Sequence, residues 1–272
     1  MRMLRVVTAA LLLITSVDAQ RPAFDAASVK RRTDPGGGFL GRRPGGRFVA
    51  EGASLQELIE FAYGLQPYQI AGGPGWLATE RWDVSATGAP GAPNDVLVAV
   101  QQLLADRFSL VVHRDTRELQ VYALVLARSG GGVGPQLKRS PIDCAALQAE
   151  ALRTGVVPPE ARGRCMAQGR VGSIQIGGSP LSEFVLLLSA RLQRMVVDRT
   201  ALTGPWDVTL TYTPEPSQIA RGVLAPGDQP TVNPDGPSIF TAVQEQLGLK
   251  LESTRAPVDV LVIDRAEFAR DN

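Results

Sequence analysis

The chain is poor in the residues that most catalytic sites and metal centres use. Its 272 residues include one histidine and two cysteines, and Phe, Trp and Tyr make up 6% of the chain. A Ser-His-Asp or Cys-His site would have to use His113, which lies at the end of a predicted strand beside a polar turn. This position favours an exposed structural histidine. Two cysteines and one histidine at this spacing match no zinc motif, so we expect no metal.

The chain also lacks an excess of either charge. The formal net charge is +1, and removing residues 1–19 leaves 26 basic and 26 acidic residues. A neutral chain has no overall electrostatic attraction for nucleic acid or for an anionic membrane, so we expect neither as a partner. No apolar run after residue 19 approaches the roughly 20 residues needed to cross a bilayer. We therefore expect no stable membrane insertion once the first residues are removed.

Residues 1–19 have the features of a secretory signal peptide. Arg2 and Arg5 precede a short apolar stretch at 6–17, and the small-residue site Val17-Asp18-Ala19 comes before Gln20. The stretch is too short to span a bilayer. The sequence thus predicts an exported protein, periplasmic or extracellular. An uncleaved anchor or a core strand is the alternative.

The two cysteines, Cys144 and Cys165, lie in one segment of the chain, residues 129–170. In an oxidising compartment this predicts one disulfide bond. The bond would close a loop of about 20 residues and stabilise the fold by about 3 kcal/mol in the chain-entropy model. The alternative is two unpaired thiols in a linker. A redox-active pair is disfavoured because the spacing is not CxxC.

The sequence contains a degraded internal repeat. Residues 46–87 resemble residues 172–211: Leu55 and Glu57 match Leu181 and Glu183, and the triplet beginning at Trp82 matches the one at Trp206. The matches keep the same order, which indicates a duplicated unit. We therefore predict an α+β fold of two tandem similar units, residues 20–128 and 171–272, joined by a linker at 129–170.

Each predicted unit consists of a strand, a helix, two strands, a second helix and a final strand or hairpin, with the helices on one face of mixed or antiparallel sheets. Ser54 and Glu57 form a predicted capping box before the first helix. In the second unit, Ser179 is the predicted cap and Pro180 the first helical residue. Residues 110–113 and 119–127 are predicted to pair as a hairpin, with residues 114–118 as its turn. The long Pro/Gly-rich segment 214–237 lies outside the repeat.

The segment 34–46 is rich in glycine and arginine. Residues 36–41 satisfy the GxGxxG pattern, but Arg42, Arg43 and Pro44 follow where a dinucleotide-binding loop would open a helix. A hairpin loop is therefore favoured, and with no Walker pattern present we expect no cofactor. Arg42 and Arg43 are candidate ligand-binding residues, for example for envelope phosphates. The alternative is a solvated loop tip.

Three further residues invite functional interpretations. Trp76 lies in a Gly/Pro loop, where it would serve either as a platform for a ligand or as an anchor for the loop. Asp83 and Asp207 suggest a pair of catalytic carboxylates, as in glycoside hydrolases. Their equivalence in the repeat favours a structural role, because both follow a tryptophan at the same strand position. These tryptophans, Trp82 and Trp206, alternate with Val84 and Val208, which predicts that both pack in the core.

Five blocks of the chain, in order, resemble a family of secreted proteins of soil bacteria: FDAASVK, ASLQELIEFAYG, QIAGGPGWL, LLADRFSLVVHRDTRELQVYALVLA and VVDRTALTGPWDVTLTYTPE. The resemblance covers nearly all of the chain after residue 19. It implies an exported protein without an assigned activity. Some relatives carry this domain behind a membrane metallopeptidase of the antibiotic-sensing type, which implies sensing or binding outside the cytoplasm. The resemblance provides no catalytic residues.

These observations lead to three hypotheses about function. The first is an exported, non-enzymatic binding or interaction module for an unknown small molecule or envelope component. It follows from a duplicated scaffold without a convergent set of catalytic residues. The second is a secreted hydrolase that uses Asp83 or Asp207. The third is a structural component of the cell envelope, which would self-associate.

Overall fold

The computed structural model describes residues 22–34, 38–88, 93–128, 130, 132–215 and 235–269. The predicted signal peptide, Gly36 and Gly37 of the GxGxxG pattern, and most of the segment 214–237 lie outside these residues. The described residues form five α-helices and three sheets of four strands, so the predicted α+β class is confirmed. No helix in this part of the chain is long and apolar enough to cross a membrane.

The helices are short, and most end at a glycine in the left-handed conformation. The five helices are α1 (Leu55–Tyr63), α2 (Pro93–Phe108), α3 (Cys144–Thr154), α4 (Leu181–Leu192) and α5 (Ile239–Leu247). The first six strands are β1 (Ala26–Arg32), β2 (Leu40–Arg43), β3 (Arg47–Ser54), β4 (Ile70–Gly72), β5 (Arg81–Thr87) and β6 (Val111–Leu126). The last six are β7 (Leu137–Arg139), β8 (Met166–Arg170), β9 (Ser173–Pro180), β10 (Val196–Asp198), β11 (Pro205–Thr211) and β12 (Leu249–Arg265).

The chain divides into two compact units. The first contains Met1–Gly64, Pro74–Leu110 and Arg265–Asn272, and the second contains Leu65–Gly73 and Val111–Asp264. The tandem boundaries inferred from the repeat remain a prediction.

The first unit is built on an antiparallel sheet with strand order β1-β5-β3-β2. Leu55, Leu58, Ile59 and Ala62 form a buried apolar stripe on α1, and the Gln101 amide of α2 donates to the carbonyl of Ala62 at 2.8 Å. Trp82 is 1% exposed, with its ring edge-on to Phe108, so its predicted place in the core is confirmed. The largest side chains buried in this unit are Trp82, Phe48, Phe108, Leu55, Leu58, Ile59 and Leu104.

The second unit contains the other two sheets. One is antiparallel, with order β7-β11-β9-β8, and the other is mixed, with order β10-β6-β12-β4. In the mixed sheet, β10 lies parallel to β6 and β4 lies parallel to β12. Trp206 is 4% exposed and belongs to the core of this unit, together with Phe184 and Leu188 of α4 and Val243 and Leu247 of α5.

Residues 111–126 form one long strand, so the predicted hairpin within this region is wrong. Two residues of this region contact β12 instead: Thr116, in the predicted turn, donates to Asp259 at 2.8 Å, and His113, in the predicted strand before it, lies 2.8 Å from Asp264. Because the numbers rise along one strand as they fall along the other, these two long strands run antiparallel. The strand that pairs with this region is therefore β12, more than 130 residues away in the chain, and not a neighbouring segment.

The start of α4 also differs from the prediction. Strand β9 runs through Pro180, which has extended dihedrals (φ −63°, ψ 152°) and is itself the N-cap, so helix α4 begins at Leu181. Ser179 does not cap the helix, because its hydroxyl donates to the carbonyl of Gly177 at 3.2 Å. At the start of α1, by contrast, the predicted capping box of Ser54 and Glu57 is confirmed.

The segment between the two repeats, residues 129–170, contains regular structure in its described part. It contributes helix α3 and strands β7 and β8, and Leu137 is 1% exposed within the core of the second unit. This segment therefore takes part in the fold as well as carrying the cysteines.

Candidate functional site

The candidate site lies in the second unit, where β9 ends and α4 begins. Gly178 has a left-handed φ of +60°, and the pairing of β9 with β11 shifts register opposite this residue. The Asp207 carboxylate of β11 accepts a hydrogen bond from the Gly178 N–H at 2.8 Å. This bond satisfies a backbone donor that the irregular pairing leaves without a strand partner. The corner that leads into α4 is therefore fixed by a side chain of the neighbouring strand.

The predicted disulfide bond between Cys144 and Cys165 is confirmed, and it lies against this corner. Cys144 opens α3 and is 8% exposed, with its sulfur 3.3 Å from the carbonyl oxygen of Gly177. A Cβ atom on Gly178 would lie 2.5 Å from the same sulfur. The bond closes the segment Cys144–Cys165, hereafter the disulfide loop, and its Cys144 sulfur lies closely against the end of β9.

A cleft of about 520 Å³ opens between the disulfide loop, β8 and the start of α4. Its volume falls within the range of about 300–1,000 Å³ that is usual for small-molecule sites. Most of its lining is apolar, and the larger contributors are Leu147, Ala151, Val157, Pro158, Ala161 and Met166. Gln148, Ser179 and Glu183 provide polar groups. An apolar wall with a few polar groups is the usual composition of a ligand pocket.

The disulfide loop also carries exposed apolar side chains. Leu152, Val156 and Val157 are 84%, 63% and 54% exposed, although large aliphatic side chains are more often buried. Val157 lines the cleft directly. A ligand in the cleft that covered Val157 would remove apolar surface from water, which favours binding by about 25 cal/mol per Å².

Glu183 differs in its hydrogen bonding from Glu57, the residue at the same helix position in the first unit. The Glu57 carboxylate accepts hydrogen bonds from the N–H and the hydroxyl of Ser54 at 2.7 and 3.0 Å, and it pairs with Arg81 at 2.6 Å. Glu183 occupies the same position in α4, but the residue at the cap is Pro180, which has neither an N–H nor a hydroxyl. Within the described residues Glu183 makes no hydrogen bond or ion pair. Its carboxylate is therefore available at the edge of the cleft.

Asp83 occupies the position in the first unit that Asp207 occupies in the second. Its carboxylate accepts a hydrogen bond from the N–H of Gly52 at 2.7 Å, and Gly52 has a φ of +66° beside a register shift in β3. It also lies 3.3 Å from Arg32. Both aspartates thus hold a glycine bulge just before a helix, which explains their place in the repeated triplet.

Trp76, the predicted ligand platform, lies in a short 3₁₀ helix and is half-buried. Its ring stacks on Phe268 with a centroid distance of 4.4 Å. Arg31 covers the same phenylalanine at 5.2 Å and forms an ion pair with Glu80. The loop is therefore held by an aromatic contact, and a ligand-binding role for Trp76 stays a prediction.

Arg42 and Arg43 lie next to each other on β2. The Arg43 guanidinium stacks on the ring of Phe39 at 3.8 Å and lies 4.0 Å from Glu51, whereas Arg42 is exposed. Trp76 and Arg43 have separate partners, so the structure does not join them through a shared contact. Binding of a ligand by Arg42 and Arg43 also stays a prediction.

His113 forms part of a polar surface along β6 and β12. Its Nδ1 atom lies 2.8 Å from the Asp264 carboxylate, and both side chains are about half exposed. On the same strand, a hydrogen bond from Arg117 lowers the pKa of Asp115. Among the described residues, no cluster of histidine, cysteine and acidic side chains is suited to hold a metal ion.

The cleft could not be assembled from sequence, since it joins α3, the strands of the second unit and α4. One local feature did point to it. Pro180 stands where the first repeat has Ser54, and this removes the partners that the following glutamate would otherwise have. Val157, an apolar residue placed between two cysteines in a segment outside the repeat, is a second such feature.

The fold and the cleft thus define an α+β domain with a disulfide-bound pocket. The chain belongs to a family described as a protein of unknown function, DUF3738, whose model matches residues 56–266. The match covers residues 56–128 of the first predicted unit and residues 171–266 of the second, and the family description assigns no activity. No curated protein and no solved structure matches the chain.

Proposed function

We propose that this protein is an exported, non-enzymatic binding module, and that its ligand site is the cleft beside the disulfide loop. The observation that carries the proposal is the cleft itself. It has a volume of about 520 Å³, a mostly apolar lining and a carboxylate without a protein partner. A small molecule with an apolar body fits this combination.

The construction around the cleft supports binding. The disulfide bond ties the start of α3 to Cys165, the residue before β8, and Asp207 holds the Gly178 corner. Below the cleft, Leu181 and Phe184 of α4 are 2% and 0% exposed, so the helix that carries Glu183 is anchored in the core. A site that is already formed loses less conformational entropy when a ligand binds.

Export is supported by the disulfide bond together with the features of residues 1–19. Disulfides persist in oxidising compartments and are rare in the cytosol. Arg2, Arg5 and the following apolar stretch match the pattern of a secretory signal. Size analysis of the protein from an expressing host would show loss of residues 1–19 from the exported form. Retention of the full chain in the cytosol would contradict export.

The roles of the two aspartates favour binding over carboxylate catalysis. Asp83 and Asp207 each accept a hydrogen bond from a backbone N–H at a bulge, so structural demands account for both. A carboxylate that fixes the backbone in this way is poorly suited to act as a nucleophile or to exchange protons with a substrate.

The binding site can be tested with 1-naphthalenemethanol, a neutral probe whose ring is small enough for the cleft. We expect saturable binding in isothermal titration calorimetry. Ala151 lines the cleft, and the variant Ala151→Phe fills part of it, so its affinity should fall at least tenfold.

The matched control is Ala149→Phe, on the same helix but not in the cleft lining, because residues two positions apart face different sides of a helix. This variant should bind like the wild type, and circular dichroism would verify that both variants fold. Equal losses in the two variants, or no saturable binding by the wild type, would contradict the proposed site.

A further inference from the structure

We infer that the cleft selects organic cations, namely ammonium compounds with an apolar body, and that Glu183 is the residue that recognises their charge. The inference rests on the proposed function and goes further, because it names the chemical class of the ligand. It begins from the difference between two glutamates that are equivalent in the repeat.

Glu57 and Glu183 lie 126 residues apart at the same position in the first turn of their helices. In α1 the carboxylate is fully used, by two groups of Ser54 and by Arg81. In α4 the proline at position 180 provides no donor at the cap, and Glu183 has no partner among the described residues. The capping role has therefore been lost at the glutamate that lies beside the cleft.

The electrostatics of the cleft favour a positive ligand. Of the described residues that line it, Glu183 alone has a charged side chain. The N-terminus of α4 contributes a partial positive charge of about half a unit, which the full negative charge of Glu183 exceeds. An anionic ligand would be repelled by this carboxylate, which is exposed at the rim of the cleft, so the repulsion weakens as salt is added.

The remaining polar groups suit an ammonium donor. The Ser179 hydroxyl donates its proton to the carbonyl of Gly177, which leaves its oxygen as an acceptor. The Gln148 side chain of α3 adds an amide oxygen to the lining. An ammonium group has three donors and no acceptor, so one carboxylate with neutral oxygens nearby can satisfy it.

The apolar lining favours an apolar group in the uncharged part of the ligand. Leu147, Val157, Pro158 and Met166 offer carbon and sulfur surface to a ring or a branched chain. A small hydrophilic cation such as free ammonium would gain little from these side chains. The ligand that uses the whole cleft therefore combines a cationic head at Glu183 with an aromatic or aliphatic body.

Three probes with the same naphthyl ring test this inference: 1-naphthylmethylamine as the cation, 1-naphthalenemethanol as the neutral form and 1-naphthaleneacetate as the anion. At neutral pH we expect the amine to bind at least fivefold more tightly than the alcohol, and the acetate to bind most weakly. The advantage of the amine should decrease as salt is added, because charge pairing at an exposed rim is screened.

The variant Glu183→Gln should remove the preference for the amine and leave the affinity for the alcohol unchanged. Glu245→Gln, an exposed glutamate of α5 outside this cleft, serves as the matched control and should keep the preference. Equal binding of amine and alcohol by the wild type, or a preference that survives in Glu183→Gln, would overturn the inference but not the proposed site. If the alcohol itself fails to bind, the proposed function fails, and the inference fails with it.

Discussion

The Asp207 carboxylate accepts a hydrogen bond from the backbone N–H of Gly178 at 2.8 Å, and Asp83 makes the same bond to Gly52 at 2.7 Å. Each bond joins the strand that carries the Trp-Asp-Val triplet to the bulge of the strand before a helix. In the second unit this bulge also positions the disulfide bond and the first turn of α4. The relationship links a repeated sequence motif to the construction of the candidate site.

Replacing either aspartate with alanine should destabilise the protein. Asp83→Ala and Asp207→Ala each leave a glycine N–H without its acceptor, which costs about 1–3 kcal/mol. Urea unfolding followed by circular dichroism would measure the loss. Asp34→Ala, at an exposed aspartate, is the control and should change stability by less than about 0.5 kcal/mol. Wild-type stability in both variants would show that these bonds are not structural supports.

Gly178→Ala should cost more than the same change at another glycine with nearly the same backbone conformation. Gly178 and Gly64 have φ values of +60° and +63°, but an added Cβ meets the Cys144 sulfur at 2.5 Å only at Gly178, with nothing within 4 Å at Gly64. Gly64→Ala should lose about 1–2 kcal/mol from the left-handed conformation alone.

The excess loss in Gly178→Ala over Gly64→Ala measures the close approach of the disulfide to the bulge. Urea unfolding gives both values, and calorimetry with 1-naphthalenemethanol should show weaker binding only in Gly178→Ala. Equal losses of stability in the two variants would mean that the disulfide loop moves away from Gly178 at no cost in free energy. That result would contradict a preformed cleft.

Removal of the disulfide should weaken both the fold and the cleft. The two cysteines are 21 residues apart, and a loop of this length contributes about 3 kcal/mol in the chain-entropy model. The double variant Cys144→Ser/Cys165→Ser, compared with the oxidised wild type in urea, should show this loss. Affinity for the naphthyl probe should also fall, since α3 is no longer tied to the residue before β8, and both α3 and β8 line the cleft. An unchanged affinity would contradict a site that depends on the disulfide loop.

Stability should decrease at high pH through two tyrosines. Burial raises the pKa of Tyr68, partly offset by its hydrogen bond with Ser189, and burial raises that of Tyr212, partly offset by the charge of Arg191. A raised pKa in the folded state contributes stability that is complete below the unfolded value of about 10 and is lost as the pH rises through the folded pKa.

The matching experiment is urea unfolding between pH 8 and pH 11.5 for the wild type and for Tyr68→Phe/Tyr212→Phe. The double variant should lose less stability above pH 10 than the wild type. Absorbance at 295 nm should show two phenols in the native wild type that ionise later than in the unfolded chain. Parallel stability curves for the two proteins would contradict the assignment.

Most of the predictions that the structure confirms were based on residues that lie close together in sequence. The Ser54–Glu57 capping box depends on residues three positions apart, and the burial of Trp82 and Trp206 follows from alternation along short strands. The disulfide followed from the cysteine count and the expected compartment. For the capping box and the tryptophans, the residues that determine the structure are close in sequence. For the disulfide, two cysteines allow only one pairing within the chain.

The hairpin prediction failed because the strand partner is distant in the chain. Residues 114–118 look like a turn because they are polar, yet they remain in a long strand because β12 lies beside them. The cleft depends in the same way on the packing of α3 against β9, which no local pattern specifies.

The most direct test of the account is to map the bound probe on the isotope-labelled protein by nuclear magnetic resonance. Titration with 1-naphthylmethylamine should shift the backbone amides of Ala145, Ala151, Ala161 and Glu183, which line the cleft, while the indole N–H of Trp76 stays in place. Shifts centred on Trp76, Arg42 and Arg43, with the cleft unaffected, would contradict the account and place the ligand in the first unit.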